Sequence, residues 1–426
     1  MDITFHGGAM EVGRCCFEVK VHERRILIDS GIKLANHNVE FPITIPNMNY
    51  IQNVFLSHVH LDHTGALPLF YAQGLRCAVY CSEVTKLILP VLLKDSWKIA
   101  RIEKRVVGYR KSDVKEILKL VMPVEEDKNN FSEFDVAGAK VQMIDAGHVP
   151  GSRATFFDFG DETLLYTGDI SLTNTRLTPP ADLERFPHSN ILIIESTYGS
   201  REHPDRKVEE KRFLDMIDRT LDKGGSVLIP TFAIGRSQEM LLILEEKGYF
   251  DKVPIFFDGM GKRITKDMIH CLDNGELARC YNKVNLVETR DDRNHVMKEQ
   301  CIVVTTSGML DGGPIMEYLK RAKSQDAILL TGYQAEGTNG RRLMAEGRVD
   351  VDGRVLNIKS SYDKFDFSSH AGAGDLHKII EKVNPKHVIL VHGDDESLIE
   401  LAKFVEKFGA TAHIPKLGET IHIAKA

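Results

Sequence analysis

The strongest chemical signal in the chain is the segment HVHLDH at positions 58–63. It follows a predicted strand and places three imidazoles and one carboxylate within six residues. In a tight turn, His58 and His60 point to one side, while Asp62 and His63 can serve a second point a few ångströms away. Nitrogen and oxygen donors of this kind suit zinc. The segment therefore predicts a dinuclear zinc site, because a cluster this dense cannot consist only of core histidines.

Four more polar residues follow predicted strands, at the edge of a sheet where sites are commonly assembled. His148 and Asp169 are the expected completing ligands, with Asp169 shared between the two metals. His392 is placed in the same way, after the strand at 388–391. Asp29 is expected to hydrogen-bond a ligand or the bridging water. His148 or Asp169 alone would be read as an ordinary turn residue, and the nearby cluster gives them their significance.

The elements that must position these residues change in character after Gly199. Up to about residue 90, the sequence reads as short strands joined by turns. Beyond Gly199, buried-type strands alternate with helices predicted over 204–223, 236–247, 261–273 and 313–323. Such alternation predicts a parallel α/β unit. We therefore expect an insert at 200–365 within a discontinuous first domain formed by 1–199 and 366–426.

Composition and charge narrow the class of protein. The 426 residues are 42% apolar and 27% charged, as in globular proteins, and no apolar run is long enough for a membrane span. The N-terminus lacks the pattern of a secretory signal, and seven cysteines without a C-x-x-C pair suggest reduced thiols in the cytoplasm. The net charge of -6 argues against a basic nucleic-acid coat.

The charge is unevenly divided. Residues 201–364 carry 27 basic and 27 acidic residues, so the remainder holds 28 of the 55 basic and 34 of the 61 acidic residues. The whole excess of negative charge therefore belongs to the metal-binding part, where bound cations would offset it locally. Net charge consequently does not exclude RNA as a substrate.

Taken together, the motifs resemble the metallo-β-lactamase superfamily. The resemblance is carried by the H-x-H-x-D-H cluster, the Gly-His at His148, the Tyr-Thr-Gly-Asp ending at Asp169 and the His-Gly at His392. The insert, Glu195 in ESTYG and His370 in SSHA are similar to the β-CASP group of nucleases. The insert motifs PTFAIGRSQE (230–239) and SGML (307–310) favour the branch of the 73-kDa subunit of cleavage and polyadenylation specificity factor and its archaeal relatives. The match begins at Met1, so no N-terminal KH module is expected.

The resemblance implies a fold and a set of site residues. The implied fold is α/β, a four-layer αββα sandwich of the metallo-β-lactamase type with an inserted parallel α/β (β-CASP) domain. It implies two Zn²⁺ ions, one held by His58, His60, His148 and Asp169, the other by Asp62, His63, Asp169 and His392. We expect His370 to be the general acid or a donor to the scissile phosphate, oriented and kept protonated by Glu195. Asp62 and Asp29 complete the expected catalytic residues.

RNA contacts in the insert are expected to involve the backbone of the nucleic acid. Arg236 and Ser307 stand near predicted helix starts, where free N–H groups attract phosphate. Tyr333, Gly337 and Arg341 belong to a Gly-rich segment that can approach a sugar-phosphate chain closely. For the basic residues an ordinary surface charge is an equal alternative, and for Tyr333 a place in the core.

The expected function is a zinc-dependent ribonuclease for single-stranded RNA, acting as an endonuclease, with or without 5′→3′ exonuclease activity, in 3′-end processing or decay. The alternatives are a non-catalytic scaffold of an RNA-processing complex and a small-molecule metallohydrolase such as a thioesterase or lactamase. DNA also stays open as a substrate. Expected partners are a second copy of the chain and RNA-processing or exosome-type complexes, in the cytoplasm and without a membrane.

Overall fold

A computed structural model describes residues 1–35, 38–136 and 138–424, which form two compact units. Unit 1 consists of Met1–Asn174, Thr178–Glu202 and Ser369–Ala426. Unit 2 consists of Thr175–Leu177 and His203–Ser368. The long segment of unit 2 begins and ends within three residues of the expected insert at 200–365. The division into functional domains stays a prediction.

The elements are numbered along the chain. The first part of unit 1 contains β1 (Asp2–Gly7), β2 (Cys16–Val21), β3 (Arg24–Ile28), β4 (Lys33–Ala35), β5 (Asn38–Glu40), β6 (Asn53–Phe55), α1 (Leu61–Thr64), α2 (Leu67–Ala72), β7 (Ala78–Cys81), α3 (Glu83–Ile102), α4 (Lys111–Ile117), β8 (Val121–Pro123), β9 (Ser132–Val136), β10 (Ala139–Asp145), β11 (Arg153–Asp158), β12 (Thr163–Tyr166) and β13 (Ile191–Glu195). Unit 2 contains α5 (Arg206–Asp222), β14 (Val227–Pro230), α6 (Arg236–Glu246), β15 (Ile255–Asp258), α7 (Gly261–Leu272), α8 (Gly275–Lys283), β16 (Asn285–Leu286), α9 (Arg290–His295), β17 (Ile302–Thr305), α10 (Ile315–Leu319), β18 (Ala327–Leu330), α11 (Asn339–Glu346), β19 (Arg348–Val351), β20 (Arg354–Asn357) and β21 (Ser361–Lys364). Unit 1 then closes with α12 (Ala373–Val383), β22 (His387–Val391), α13 (Asp395–Phe408), β23 (Thr411–His413) and β24 (Thr420–His422).

Two mixed sheets form the centre of unit 1. Over the described residues, each has seven strands, in the orders β24-β1-β2-β3-β6-β7-β8 and β23-β22-β13-β12-β11-β10-β9. Apolar side chains from both sheets, including Phe17, Phe157 and Tyr166, share one buried cluster between them. Leu376 of α12 and Leu398 of α13 pack on the other face of the second sheet, and α3 contacts β8 of the first. The expected four-layer αββα sandwich is confirmed.

The parallel strands of unit 1 bring the expected site residues to shared sheet edges. β3 and β6 are parallel with Ile28 opposite Phe55, so Asp29 and the segment from Ser57 begin at the same edge. In the second sheet, β12, β13 and β22 are parallel neighbours, with Glu195 opposite Val391. Because carboxyl ends of parallel strands meet at one edge, residues that follow these strands lie close together.

Unit 2 is built on a parallel sheet in the order β16-β15-β17-β14-β18-β21. Its strands β14, β17 and β18 are buried along their whole length, as expected when helices cover both faces of a parallel sheet. The expected inserted parallel α/β unit is confirmed. The helix expected over 313–323 is shorter in the structure, where α10 spans Ile315–Leu319.

Several helices were not predicted from the sequence, and glycine or proline interrupts the pattern of α2, α3 and α11. In unit 1, α1, α2 and α3 lie in a region expected as strands and turns, and α3 contains Pro90. In unit 2, α11 begins inside the expected Gly-rich loop, where the Thr338 side chain accepts a hydrogen bond from the Arg341 N–H. Gly340 lies within that helix, and a Cβ there would lie 1.5 Å from Gln334 Oε1 and 3.2 Å from the Met309 carbonyl oxygen. No helix in the described ranges combines the length and apolar character of a membrane span.

Candidate metal centre

Three segments of unit 1 converge on a first group of donor atoms. His58 and His60 follow β6, His148 follows β10, and Asp169 follows β12. One donor atom from each of the four residues lies within 4.8 Å of the others. His58 Nε2 is 2.9 Å from His60 Nδ1, and Asp169 Oδ2 is 3.6 Å from His58 Nε2 and 3.7 Å from His148 Nε2. These four residues are those expected to hold one metal ion.

A second group of donors also lies around Asp169. Asp169 Oδ2 is 3.4 Å from His63 Nε2, and Asp169 Oδ1 is 3.7 Å from His392 Nδ1. Asp62 Oδ2 lies 3.4 Å from His392 Nε2 and 3.9 Å from His63 Nε2. The expected residues of the second metal point are thus brought together as well, and Asp169 faces both groups.

Asp29 holds two imidazole rings of this centre in place, one directly and one through Ser57. It is fully buried, and its Oδ2 lies 2.7 Å from His63 Nδ1. The same oxygen accepts hydrogen bonds from Ser57 Oγ at 2.8 Å and from the Tyr166 hydroxyl at 2.7 Å. Ser57 Oγ also lies 3.1 Å from His58 Nδ1. This arrangement fixes the orientation of two imidazoles and leaves their Nε2 atoms for the donor groups, as in many metal sites.

The remaining imidazoles have their own anchors. His148 Nδ1 is 2.8 Å from the carbonyl oxygen of Ser369. His392 Nδ1 is 3.1 Å from Thr197 Oγ1. His148 thus turns its Nε2 atom toward Asp169, while His392 turns Nε2 toward Asp62 and keeps Nδ1 near Asp169. Ser57, Tyr166, Thr197 and Ser369 were not predicted as site residues, although Ser57 directly precedes the histidine cluster and Tyr166 belongs to the Tyr-Thr-Gly-Asp motif.

The backbone of the centre contains unusual conformations. Asp29 and His392 have φ values of 58° and 52°, a region that costs a non-glycine residue about 1–3 kcal/mol. Gly168, at φ 58°, precedes Asp169, and a Cβ there would lie 2.7 Å from the Cβ of Ser57. A glycine is required at this point because the loop that carries Asp169 passes directly against Ser57.

The charge states and unmet hydrogen bonds of the cluster fit a bound cation. Burial lowers the pKa of His58, His60 and His148, so these imidazoles are neutral, the form that binds metals. Within the described part of the chain, buried His63 Nε2 and Asp169 Oδ1 have no hydrogen-bond partner. Buried polar atoms of this kind normally find a partner, and a cation at these donors would supply one. The donor set of imidazoles and carboxylates suits zinc.

His370 lies beside the first donor group and is held by Glu195. Its Nδ1 is 3.0 and 2.9 Å from the two carboxylate oxygens of Glu195, and its Nε2 is 4.0 Å from Asp169 Oδ2. Glu195 is buried and also accepts the Ile170 N–H at 2.8 Å. Burial alone would lower the pKa of His370, but the charges of Glu195 and Asp169 outweigh it and raise the pKa to about 9. The structure therefore pairs His370 with Glu195, as the sequence predicted.

Cys15 is an unexpected neighbour of the second donor group. One donor atom from each of Cys15, His63 and His392 lies within 4.8 Å of the others. Burial raises the pKa of the Cys15 thiol to about 12, so the thiol is neutral where no cation lies beside it. Cys15 could not be distinguished from the other cysteines by its sequence context, because its proximity to His392 depends on the packing of distant segments.

The RNA-contact candidates of unit 2 lie in different environments. Arg236 is buried, with Nη1 3.2 Å from Glu239 Oε2, so it is not the open helix-start cation that the sequence suggested. Arg341 is exposed and pairs with Glu336 at 3.0 Å. Glu239 lies three residues after Arg236, and this spacing could have signalled the pair.

The other three candidates lie in loops. Tyr333 is 42% exposed, which excludes the alternative of a core tyrosine. Gly337 is exposed and has a φ of 80°, within the segment before α11. Ser307 is partly buried, and the helix expected to follow it begins only at Ile315, so Ser307 does not stand at a helix start.

Comparisons with known families match three parts of the chain. The Beta-Casp domain matches residues 237–343, and the Zn-dependent metallo-hydrolase RNA specificity domain matches residues 355–415. The model of the Anti-Pycsar protein Apyc1 matches residues 16–188.

Curated relatives match over nearly the full length. The chain is 41% identical to the probable RNase MJ4 of Methanocaldococcus jannaschii, over 99% of this chain and 100% of the relative. It is 34% identical to RNase aCSPSF2 of Saccharolobus solfataricus, over 98% of this chain and 84% of the relative. It is 32% identical to the transcription termination factor FttA of Methanocaldococcus jannaschii, over 99% of this chain and 71% of the relative.

Proposed function

The chain belongs to the β-CASP family of metal-dependent ribonucleases with the metallo-β-lactamase fold, and we propose that it hydrolyses phosphodiester bonds of single-stranded RNA with two zinc ions. The observation that carries the proposal is the convergence of the two groups of donor side chains around Asp169. In this proposal one ion is held by His58, His60, His148 and Asp169, and the other by Asp62, His63, Asp169 and His392.

The residues around the donors supply orientation and a proton. Bound zinc ions would lower the pKa of a water molecule and polarise the oxygens of the scissile phosphate. His370, protonated near neutral pH because of its raised pKa, gives the proton on Nε2 to the leaving oxygen. Glu195 holds the opposite ring nitrogen and so keeps the acid aimed and charged. Asp29 fixes the ring of His63 from the buried side.

The complete donor set supports catalysis over a scaffold role. A scaffold would not require buried imidazoles whose ring nitrogens are each fixed by a hydrogen bond, as His58, His63, His148 and His392 are. The match of the insert to the Beta-Casp domain supports RNA over a thioester or lactam. We propose that Tyr333, Gly337 and Arg341 contact RNA, while Arg236 acts by holding Glu239.

The relatives guide the biological part of the proposal. Two of them are named RNases and one a transcription termination factor, which supports ribonuclease activity in RNA 3′-end processing or decay. Work as a homodimer, association with RNA-processing or exosome-type complexes and a cytoplasmic location belong to the same proposal. Sedimentation of the purified chain tests the homodimer.

RNA labelled at either end tests the proposed reaction. Zinc-loaded protein is incubated with single-stranded RNAs that carry a 5′-triphosphate or a 5′-monophosphate. Internal products from both labels indicate an endonuclease, whereas stepwise release from a 5′-monophosphate indicates 5′→3′ exonuclease activity. Turnover of a thioester or lactam without cleavage of RNA would overturn the proposal, and cleavage of DNA alone would overturn the choice of substrate.

A further inference from the structure

We infer that unit 1 carries a second binding site for single-stranded RNA, in a basic and aromatic groove outside the metal centre. The groove encloses about 870 Å³ and is formed by the end of α2, the last turns of α3, the loop after α3 and the start of α4. Neither the donor residues of the metal centre nor His370 and Glu195 line it. The inference rests on the proposed ribonuclease function and names a part of the substrate path.

The groove carries a net positive charge, whereas the part of the chain around it carries a net negative charge. Among the described residues that line it, six are lysine or arginine and one is a carboxylate. Outside residues 201–364, by contrast, the chain has 28 basic and 34 acidic residues. The cations are therefore concentrated here against the local average. A concentration of this kind attracts a polyanion such as the phosphate backbone of RNA.

Several of these cations have no internal ion pair to explain them. Within the described ranges, no carboxylate lies within salt-bridge distance of Arg101, Lys104 or Arg110, and all three are exposed. This differs from the candidates of unit 2, since Arg236 and Arg341 are paired with Glu239 and Glu336. These three charges are thus available to an external ligand, whereas Arg105 is paired with Glu103.

Aromatic side chains in the same groove add a means of holding bases. Tyr71, Trp97 and Tyr109 line it, and Trp97 is the one tryptophan of the chain. The ammonium group of Lys111 lies 5.6 Å from the centre of the Trp97 ring, and Arg76 lies 3.9 Å from that of Tyr71. Positive charge combined with aromatic faces is the means by which proteins bind single strands without sequence preference.

The groove lies near the metal centre along the chain. Tyr71 comes eight residues after His63, so their Cα atoms are at most about 29 Å apart at ~3.6 Å per residue. The two residues also share unit 1, so the separation does not depend on the second unit. The inference therefore predicts that one oligonucleotide with a part bound in the groove extends to the metal donors. The ligand class is single-stranded RNA, engaged through its phosphates and bases together.

The single tryptophan makes the test direct. Metal-loaded full-length protein is mixed in a stopped-flow instrument with a single-stranded RNA of about 12 nucleotides, within the range of single-strand sites, and Trp97 fluorescence is recorded before cleavage. We expect saturable quenching, because a base stacks on the indole. Inorganic polyphosphate should compete for the cations without reproducing the quenching. An unchanged signal, or equal quenching by polyphosphate, would overturn the inference.

Variants that remove positive charge distinguish RNA binding in the groove from general electrostatic attraction. Arg101→Gln/Arg110→Gln should weaken RNA binding at least about tenfold at constant salt and raise the KM for long RNA. Lys115→Gln/Lys119→Gln removes the same charge from exposed lysines outside the groove and should change binding less than twofold. Equal effects of the two double variants would contradict the inference. Trp97→Phe removes the one tryptophan of the chain and should abolish the fluorescence signal, which shows that the quenching reports on Trp97. Thermal unfolding checks that this variant is folded.

Three further results have distinct meanings. If the Arg101→Gln/Arg110→Gln variant loses self-association in sedimentation but keeps RNA affinity, the groove is a protein interface and the inference is wrong. If Trp97 is quenched in the wild type but RNA is never cleaved, the proposed ribonuclease function fails while RNA binding in the groove stands. If RNA is cleaved without any contribution from the groove, only the present inference fails.

Discussion

The metal centre of unit 1 and the RNA-contact candidates of unit 2 were both proposed from sequence motifs. In the structure, the residues of the metal centre converge, whereas the RNA-contact candidates lie in different environments. In the metal centre, residues as far apart as His58 and His392 form one buried set of donors. In unit 2, Arg236 is buried against Glu239 and Arg341 is exposed beside Glu336. Metal ligands must converge within a few ångströms, whereas contacts to a flexible polyanion need only be accessible. Motif residues are therefore safer guides to the first kind of site than to the second.

The strongest test of the metal centre in this comparison is to remove the carboxylate that both donor groups share. Asp169→Asn should lower the zinc content and reduce RNA cleavage on the order of 10³-fold or more, since metal assistance contributes several kcal/mol. Metal analysis and cleavage assays measure the two effects. Asp135→Asn, at an exposed position on β9, serves as the control. Unchanged zinc content in Asp169→Asn would show that Asp169 is not a zinc ligand.

His370 separates catalysis from metal binding within the same centre. His370→Ala should keep its zinc and lose cleavage on the order of 10²–10⁴-fold, the usual contribution of a general acid. His422→Ala, which removes an exposed histidine, should behave like the wild type. Loss of zinc in His370→Ala would show that His370 is a ligand rather than the acid.

The carboxylate of Glu195 should set the pH range over which His370 acts. Because Glu195 helps to raise the pKa of His370 to about 9, Glu195→Gln should lower that pKa. The protonated acid would then be lost at lower pH, so the alkaline limb of the pH–rate profile should move to lower pH. Single-turnover rates across the pH range measure the shift. An alkaline limb that does not shift would indicate that the proton donor is not His370.

Ser57 tests the buried support of the metal centre. Ser57→Ala removes the hydroxyl shared by Asp29 and His58 and should weaken zinc affinity about 10–100-fold. Excess zinc should restore cleavage, since the donors themselves remain. Competition with a chelator measures the affinity, and Ser112→Ala, at an exposed position on α4, is the matched control. An unaltered affinity would show that the donors are fixed without Ser57.

The smallest expected effects are in unit 2 and differ in kind. Arg236→Ala should lower the free energy of unfolding by about 1–3 kcal/mol, because it leaves the buried carboxylate of Glu239 with one partner fewer. Arg341→Ala should leave unfolding unchanged and weaken RNA binding only a few-fold. Thermal unfolding and RNA titration distinguish them, with Arg354→Ala as an exposed control. The reverse pattern would contradict the comparison.

The parts of the molecule that the sequence could predict share a physical basis. Strands followed by His148, Asp169 and His392 could be identified because short apolar runs and the polar residue after each are local features. The αββα fold followed from the resemblance that these residues carry. Local patterns could not indicate α11, because Gly340 lies inside the helix beside the Gln334 side chain.

Other features depend on packing between distant segments. Cys15 lies among the second donors only because the start of β2 passes beside the loop of His392. The anchoring of His148 by the Ser369 carbonyl joins residues 221 positions apart. The basic groove combines the ends of α2 and α3 with the start of α4, whose cations and aromatics look like ordinary surface residues in the sequence.

Titration of the metal-free protein with zinc tests the central claim most directly. Bound zinc and the rate of RNA cleavage are measured in the same samples as zinc is added. The proposed centre predicts that full cleavage requires two equivalents, and that His148→Ala and His392→Ala each bind one equivalent fewer with high affinity. Full cleavage by the metal-free protein, or unaltered zinc binding in both variants, would contradict the account.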